Sequence, residues 1–209
     1  GIYTHTSTNT VGCDSVSTLF LTINACNSIL NLKAYLQGYY TGANTMASVL
    51  MNQGESFNSA ICDTIVVTLY DEITFAPLYS IPSILHTDGT TTCNFPALSG
   101  NFYIGLSHRN TINTWSALPV TFGALPVNYN FTTSPAMAYG ANLVEVEIGV
   151  WALYSGDISQ DENIDLSDFS ILEIDINNFG SGYLPSDING DGNVDLGDVP
   201  ILESNINAF

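Results

Sequence analysis

Hydrophobic and polar positions change rhythm once along this chain, near residue 155. Before that point apolar residues fall in short runs at alternate positions, the period of a strand with one buried face. Residues 29–40 place Leu30, Leu32, Ala34 and Leu36 on one face. Residues 42–58 read as a long loop with a helical turn near 46–51. The β-branched run 65–70 predicts a central strand, and 78–85, broken by Pro82, predicts a strand near a sheet edge. A turn at 87–90 leads into a short strand at 91–95. Strands at 101–108, 114–122 and 127–131 follow, and 143–154 closes the set with Val144, Val146, Ile148 and Val150 on one face. Residues 1–28 are rich in Thr, Ser and Asn, with one apolar alternation at Leu19, Leu21 and Ile23. They are expected to form an edge strand or one that pairs with another chain. Many short strands with turns between them and no long helix predict a mainly β chain, an antiparallel β-sandwich of the immunoglobulin or prealbumin kind.

After residue 155 the period becomes helical and the text repeats. Residues 157–179 and 187–209 align at an offset of 30 with 13 of 23 positions identical. Leu166, Phe169, Leu172 and Ile176 share one helix face, as do Leu196, Val199, Leu202 and Ile206, with Pro200 in a first turn. Ahead of each stripe, oxygen-bearing side chains alternate at loop positions 1, 3, 5, 9 and 12, with a backbone carbonyl available at position 7. That is the EF-hand spacing, which suits a hard cation needing six to eight oxygens. The second loop supplies Asp187, Asn189, Asp191, Asn193, Asp195 and Asp198, with Gly192 at the sharp turn; the first supplies Asp157, Ser159, Asp161, Asn163, Asp165 and Asp168. Two calcium ions are the expected cofactor. Two departures stand out. Asp replaces Glu at position 12, and Glu162 stands where Gly is usual, which forces a strained backbone if the turn is kept. Loop plus following helix, written twice over some 53 residues, resembles the dockerin type I module of secreted bacterial proteins. The organisation read from this is an N-terminal segment at 1–28, a β-sandwich at 29–155, and a calcium-binding module at 156–209 joined by so short a linker that it should pack against the sandwich.

Charge sharpens the picture. Twenty acidic residues stand against two basic ones, Lys33 and Arg109, and the net charge is −18. Twelve of the acids lie from Asp157 onward. Nucleic acid and anionic membrane surfaces are poor partners for such a chain. No apolar run is long enough to span a bilayer. The chain opens on Gly1 and polar residues and reads as a processed, secreted product. The four cysteines, Cys13, Cys26, Cys62 and Cys93, match no zinc spacing. In an extracellular setting an even count favours two disulfides, Cys13–Cys26 and Cys62–Cys93 being preferred among three pairings, with buried free thiols as the alternative.

Catalytic chemistry is not visible. His5, His86 and His108 have no recognisable partners, and no nucleophile elbow, zincin or phosphate-loop motif occurs; the chain is expected not to be an enzyme. Arg109 and Trp115, a rare cation and a rare indole six residues apart, are candidate ligand-binding residues for a sugar or a carboxylate, although an ion pair and a core ring explain them as well. The strings LKAYLQGYYTG, DTIVVTLYD, HRNTINTWSALPVTF and GVWALYSGD resemble a β-sandwich plus dockerin-like arrangement in secreted adhesin- or hemagglutinin-like proteins of Bacteroidota, over residues 29 to the end. That resemblance implies an extracellular or cell-surface, calcium-dependent module. The expected function is a non-catalytic structural or adhesive subunit that self-associates, as a filament or surface layer, or binds other extracellular proteins. The alternatives are a docking module for a cohesin-like receptor and a carbohydrate-binding domain with glycans as partners.

Overall fold

The computed structural model describes residues 2–20, 27–206 and 208. Residues 2–20 form a hairpin of β1 (Ile2–Thr8) and β2 (Asp14–Phe20), in register from Ile2 against Phe20 to Thr8 against Asp14. The segment expected as an edge strand, or as one that pairs with another chain, is here two strands paired with each other. Leu21, Ile23 and Cys26 lie outside the described residues.

The sandwich follows. β3 (Asn27–Lys33) leads through a 3₁₀ turn at Gln37–Tyr39 to the small pair β4 (Tyr40–Gly42) and β5 (Thr45–Met46), then to the single turn α1 (Val49–Asn52). β6 (Ile61–Asp71), β7 (Pro77–His86), β8 (Thr90–Pro96), β9 (Gly100–His108), β10 (Thr111–Trp115), β11 (Val120–Phe122) and β12 (Val127–Asn130) complete two sheets. One runs β10-β9-β6-β7, with β11 continuing β10 along the same strand β9; the other runs β12-β3-β8. Alternation decides their faces. Leu30 and Leu32 of β3 and Cys93 and Phe95 of β8 meet Ile65, Val67 and Leu69 of β6 and Ile104 and Leu106 of β9 in one buried core. Pro82 is accommodated because β7 is an edge strand, where a missing N–H breaks no second ladder.

Three expectations need correction. The sandwich is not wholly antiparallel: β12 runs parallel to β3. The chain reaches β12 by crossing from the other sheet rather than by a hairpin, so nothing forces an antiparallel approach. The strand expected at 114–122 is interrupted, because Ser116 turns inward, donates its hydroxyl to the Leu118 carbonyl and accepts from the Ile104 amide. The strand expected at 143–154 is a hairpin, β13 (Val144–Glu147) and β14 (Val150–Ala152), with Gly149 at φ +76° in the turn. Ile148 is therefore 98% exposed instead of sharing a buried face.

The chain leaves β14 and enters the first acidic loop directly. α2 (Leu166–Asn177) and α3 (Val199–Asn205) each follow a loop. Ile158, Ile164, Leu172, Ile188, Val194 and Leu202 form a second core with Ile112 of β10, and Phe169, Ile176, Val199 and Ile206 pack against it. Leu166 and Leu196 were expected in these stripes but lie outside them, 71% and 76% exposed. Among the described residues no helix is long and apolar enough to cross a membrane.

Candidate calcium loops and the clasp that seats them

The two acidic loops are wired alike. In the first, Asp157 accepts backbone N–H bonds from Asp161 and Glu162 at 3.1 and 3.3 Å; in the second, Asp187 accepts them from Asp191 and Gly192 at 3.2 and 2.9 Å. Position 12 closes each loop from the other end. Asp168 accepts from Ile158, Ser159 and Asp165 at 2.8, 2.8 and 3.0 Å, and Asp198 from Ile188, Asn189 and Asp195 at 2.7, 2.9 and 3.0 Å. These bonds account for aspartate at position 12. Its short arm grips the backbone of loop positions 2, 3 and 9, and in α2 the same bond from Asp165 completes a capping box.

The sharp turns differ for a reason of packing. Glu162 takes φ +69° and Gln160 φ +60°, where the second loop has Gly192 at +96° and Gly190 at +74°. A Cβ on Gly192 would stand 2.6 Å from the Asn52 carbonyl oxygen, and one on Gly190 2.5 Å from Val49. The second loop lies against the sandwich and needs glycine for close approach. The first faces solvent, so ordinary residues fit at the expense of backbone strain alone.

The structure brings positions 1 and 12 into the interior and leaves 5 and 9 outside. Asp157, Asp168, Asp187 and Asp198 are at most 2% exposed. Asp161 and Asp191 bond the backbone of Asn163 and Asn193, and Asp165 and Asp195 bond that of Ser167 and Gly197. Ser159, Asn163 and Asn193 are exposed and Asn189 half-buried. Among the described residues no three His, Cys, Asp or Glu side chains cluster as metal ligands. Burial, with Asp168 near, pushes Asp157 up to about 6; burial, with Asp187 near, pushes Asp198 up to about 6; burial also raises Asp187. None of the four has a cationic partner among the described residues. Backbone N–H groups stabilise these carboxylates in part, and the all-oxygen side chains of the two loops are of the kind a hard cation takes.

What seats the second loop is a polar clasp built on Arg109. Its Nη2 donates to Asp63 at 2.9 Å, to Gln53 at 2.9 Å and to the Tyr39 hydroxyl at 2.7 Å, while Nη1 donates to the Leu184 carbonyl at 2.9 Å. The guanidinium lies 4.0 Å over the Tyr183 ring. Asp63, fully buried, also faces His108 Nε2 at 3.1 Å and accepts from the Tyr183 hydroxyl at 3.2 Å. Burial alone would raise its pKa, but His108 and Arg109 outweigh that and hold it below the usual carboxylate range. Gln53 donates to Asp187 at 2.5 Å, and Asn110 donates to the Tyr39 hydroxyl and the Asp187 carbonyl. Sandwich and second loop are therefore joined through one buried network. A second contact pairs the amides of Gln37 and Asn205 and ties Asn205 to the Ser155 carbonyl.

Arg109 and Trp115 do not form a shared site. Arg109 is committed to the clasp; Trp115 stacks on Tyr70 with centroids 3.9 Å apart. His108, for which the sequence shows no partner, has two in the fold, Asp63 and Asn110. The available signal was charge scarcity: a lone arginine in an acidic chain is a strong candidate for buried pairing. The expected Cys62–Cys93 disulfide is absent. Both are buried free thiols in different sheets, Cys62 3.9 Å from the Met46 sulfur and Cys93 3.1 Å from the Ser83 hydroxyl. Cys13 is exposed, and its expected partner Cys26 lies outside the described residues.

No protein-family model matches the chain, and no curated protein matches it. Among solved structures, a chain from an N-terminal interface mutant of a type II Cohesin-X-Dockerin complex of Acetivibrio cellulolyticus is similar at a TM-score of 0.50 and 13% identity, over 85% of this chain and 94% of that one. The corresponding C-terminal interface mutant gives a TM-score of 0.48 at the same identity and coverage. At this identity the likeness is one of fold, a β-sandwich scaffold of the kind found in that complex.

Proposed function

We propose that this chain is a non-catalytic, extracellular protein-interaction module in which two calcium loop-helix repeats, locked onto a β-sandwich, present a docking surface. The observation that carries the reading is the duplicated wiring of the loops: two stretches 30 residues apart bury the same two carboxylates on equivalent backbone donors. Asp157, Ser159, Asp161, the Asn163 carbonyl, Asp165 and Asp168 would hold one calcium ion, and Asp187, Asn189, Asp191, the Asn193 carbonyl, Asp195 and Asp198 the other. The ion would supply the positive charge that four buried carboxylates lack. The chain's own part is to preorganise the position 1 and 12 oxygens and to seat the second loop through Gln53 and Arg109.

The docking half of the proposal draws support from α2. Leu166 and Ile174, spaced i and i+8, stand 71% and 59% exposed, with exposed Ser170 between them. A helix stripe that faces solvent with two large apolar side chains suits a partner's groove. The structural neighbour comes from a cohesin–X-dockerin complex, which makes a protein receptor the natural partner class to try first.

The test is thermal unfolding of the whole chain in 1:1 steps of added calcium and then in excess chelator, together with capture of secreted proteins by wild type and by Leu166→Glu/Ile174→Glu. Calcium binding predicts a Tm that rises steeply over the first two equivalents, as the sites fill, and then climbs slowly with the logarithm of free calcium by mass action. Identical melts in calcium and chelator would remove the calcium assignment. Equal capture by wild type and variant would remove α2 as the docking face.

A further inference from the structure

The outer face of the larger sheet carries three aromatic rings, joined by two more from flanking turns, that the sandwich core does not use. Trp115 of β10 lies flat on Tyr70 of β6, 3.9 Å between centroids at 23°. Tyr103 of β9 sits 5.9 Å from Trp115, and Phe75, in the turn between β6 and β7, closes on both, 5.6 Å from Tyr103 and 6.3 Å from Trp115. Tyr139 flanks Tyr103 at 6.3 Å. Room for the stack comes from Gly105, where a Cβ would stand 2.5 Å from the Tyr70 ring. Phe75, Asn113, Trp115, Tyr139 and Asn142 line a cleft of about 360 Å³ over this floor.

Two features mark it as more than surface packing. Phe75 holds φ +57° while its side chain is 51% exposed. A bulky residue in the left-handed region is strained, and here no core burial offsets the strain. The turn is built to impose it: Asp71 accepts from the Ile73 and Thr74 amides and from the Thr74 hydroxyl, and its carbonyl accepts the Phe75 amide at 3.1 Å. Strained backbone clusters at ligand sites; Phe179 holds a like φ of +54° outside this cleft, so it is the aromatic setting of Phe75 that makes its strain informative. The cleft also has polar groups to spare. Asn113 uses only its carbonyl oxygen, toward Ser107. Its amide N–H₂, the Asn142 side chain, the Tyr139 hydroxyl and the Trp115 indole N–H make no hydrogen bond to the described residues.

We infer that this cleft binds a neutral saccharide. A sugar ring offers an apolar C–H face to an aromatic floor and a rim of hydroxyls that both donate and accept, matching the unused amide, hydroxyl and indole groups. No charged side chain lines the cleft. Both cations lie elsewhere, Arg109 in the clasp and Lys33 over Tyr35, and the net charge of −18 repels acidic ligands. A quaternary ammonium would suit the rings and the charge but would leave every one of those hydrogen-bonding groups unanswered. The site is independent of the acidic loops, so it stands or falls separately from the calcium and docking reading.

The experiment is isothermal titration of the full chain with cellohexaose, mannohexaose, xylohexaose and choline, each to about 10 mM, in calcium and in chelator. Saturable binding of at least one hexasaccharide is expected, with little change in chelator. Tyr139→Ala removes an exposed ring and should weaken it about five- to tenfold. Phe75→Gly should weaken it similarly while lowering the Tm by no more than about 4 °C, since relief of the positive φ offsets part of the packing lost with the ring; that pairing separates a binding role from a structural one. No binding by any hexasaccharide, binding by choline alone, or affinity unmoved by both substitutions would overturn the inference.

Discussion

Arg109→Met is the most informative single perturbation. It removes the cation facing Asp63 while keeping an unbranched apolar stem of similar reach. The wild-type guanidinium makes two bonds to the fully buried Asp63, and bonds to Gln53, Tyr39 and the Leu184 carbonyl, besides stacking on Tyr183. Removing one partner of a buried ion pair typically costs about 3–5 kcal/mol, because the remaining charge is left uncompensated. His108 and Tyr183 still face Asp63 in the variant, which places the expectation at the lower end, about 3 kcal/mol. For a domain of this size that corresponds to a Tm lower by roughly 6–12 °C. The loss should also be localised. The clasp ties the sandwich to Leu184 and, through Gln53 and Asn110, to Asp187, so amide exchange at Gly190, Gly192 and Val194 should accelerate before that of β6 and β9. The assay is calcium-saturated thermal unfolding with hydrogen exchange read by mass spectrometry, on Arg109→Met, Asp63→Asn and the double variant. The double variant should be more stable than the sum of the single losses implies, since no unpaired charge remains. A Tm within 2 °C of wild type for Arg109→Met, or additive single effects, would refute the view that the network seats the tail.

Other outcomes follow from the same geometry. Gly192→Ala should destabilise the second loop, since its Cβ meets the Asn52 carbonyl at 2.6 Å, whereas Glu162→Gly should stabilise the first by about 0.5–1 kcal/mol, the cost of a left-handed φ of +69° less the entropy glycine adds to the unfolded chain; paired melts in chelator decide whether the signs differ. Asp63 has its carboxyl held low, so its contribution is present above the unfolded value near 3.9 and is lost as pH falls below it through the folded value. The stability lost between about pH 4 and pH 2 should therefore shrink in Asp63→Asn, and equal acid sensitivity in both proteins would contradict this. Cys62 and Cys93 are buried free thiols, with burial driving both up in pKa. Iodoacetamide should label them only after denaturation, without prior reduction; a Cys62–Cys93 cross-link found by non-reducing peptide mapping would contradict the structure.

The residues alone determined what depends on local period and composition. Alternation at Leu30 and Leu32 and the β-branched run in β6 were enough to predict strands, since one buried face per strand leaves a period of two in the sequence; the same alternation carries on through Ala34 and Leu36, which are buried but lie past the end of β3 at Lys33, where the expected strand over 29–40 gives way to a 3₁₀ turn. The doubled loop-helix pattern was legible because each loop is a local object whose oxygens come from within a dozen residues, and even the strain at Glu162 could be read from its alignment with Gly192. Tertiary structure decided what depends on which elements meet. The parallel placement of β12, the separation of Cys62 from Cys93, and the exposure of Ile148, Leu166 and Leu196 follow from sheet crossing and docking, which no local period encodes. The clasp gathers Tyr39, Gln53, Asp63, His108, Arg109, Asn110, Tyr183 and Asp187 from positions spread over some 150 residues. Their partnership exists only once β6, β9 and the second loop share one interior, because a buried polar group acquires its meaning from whatever the fold places within hydrogen-bond reach.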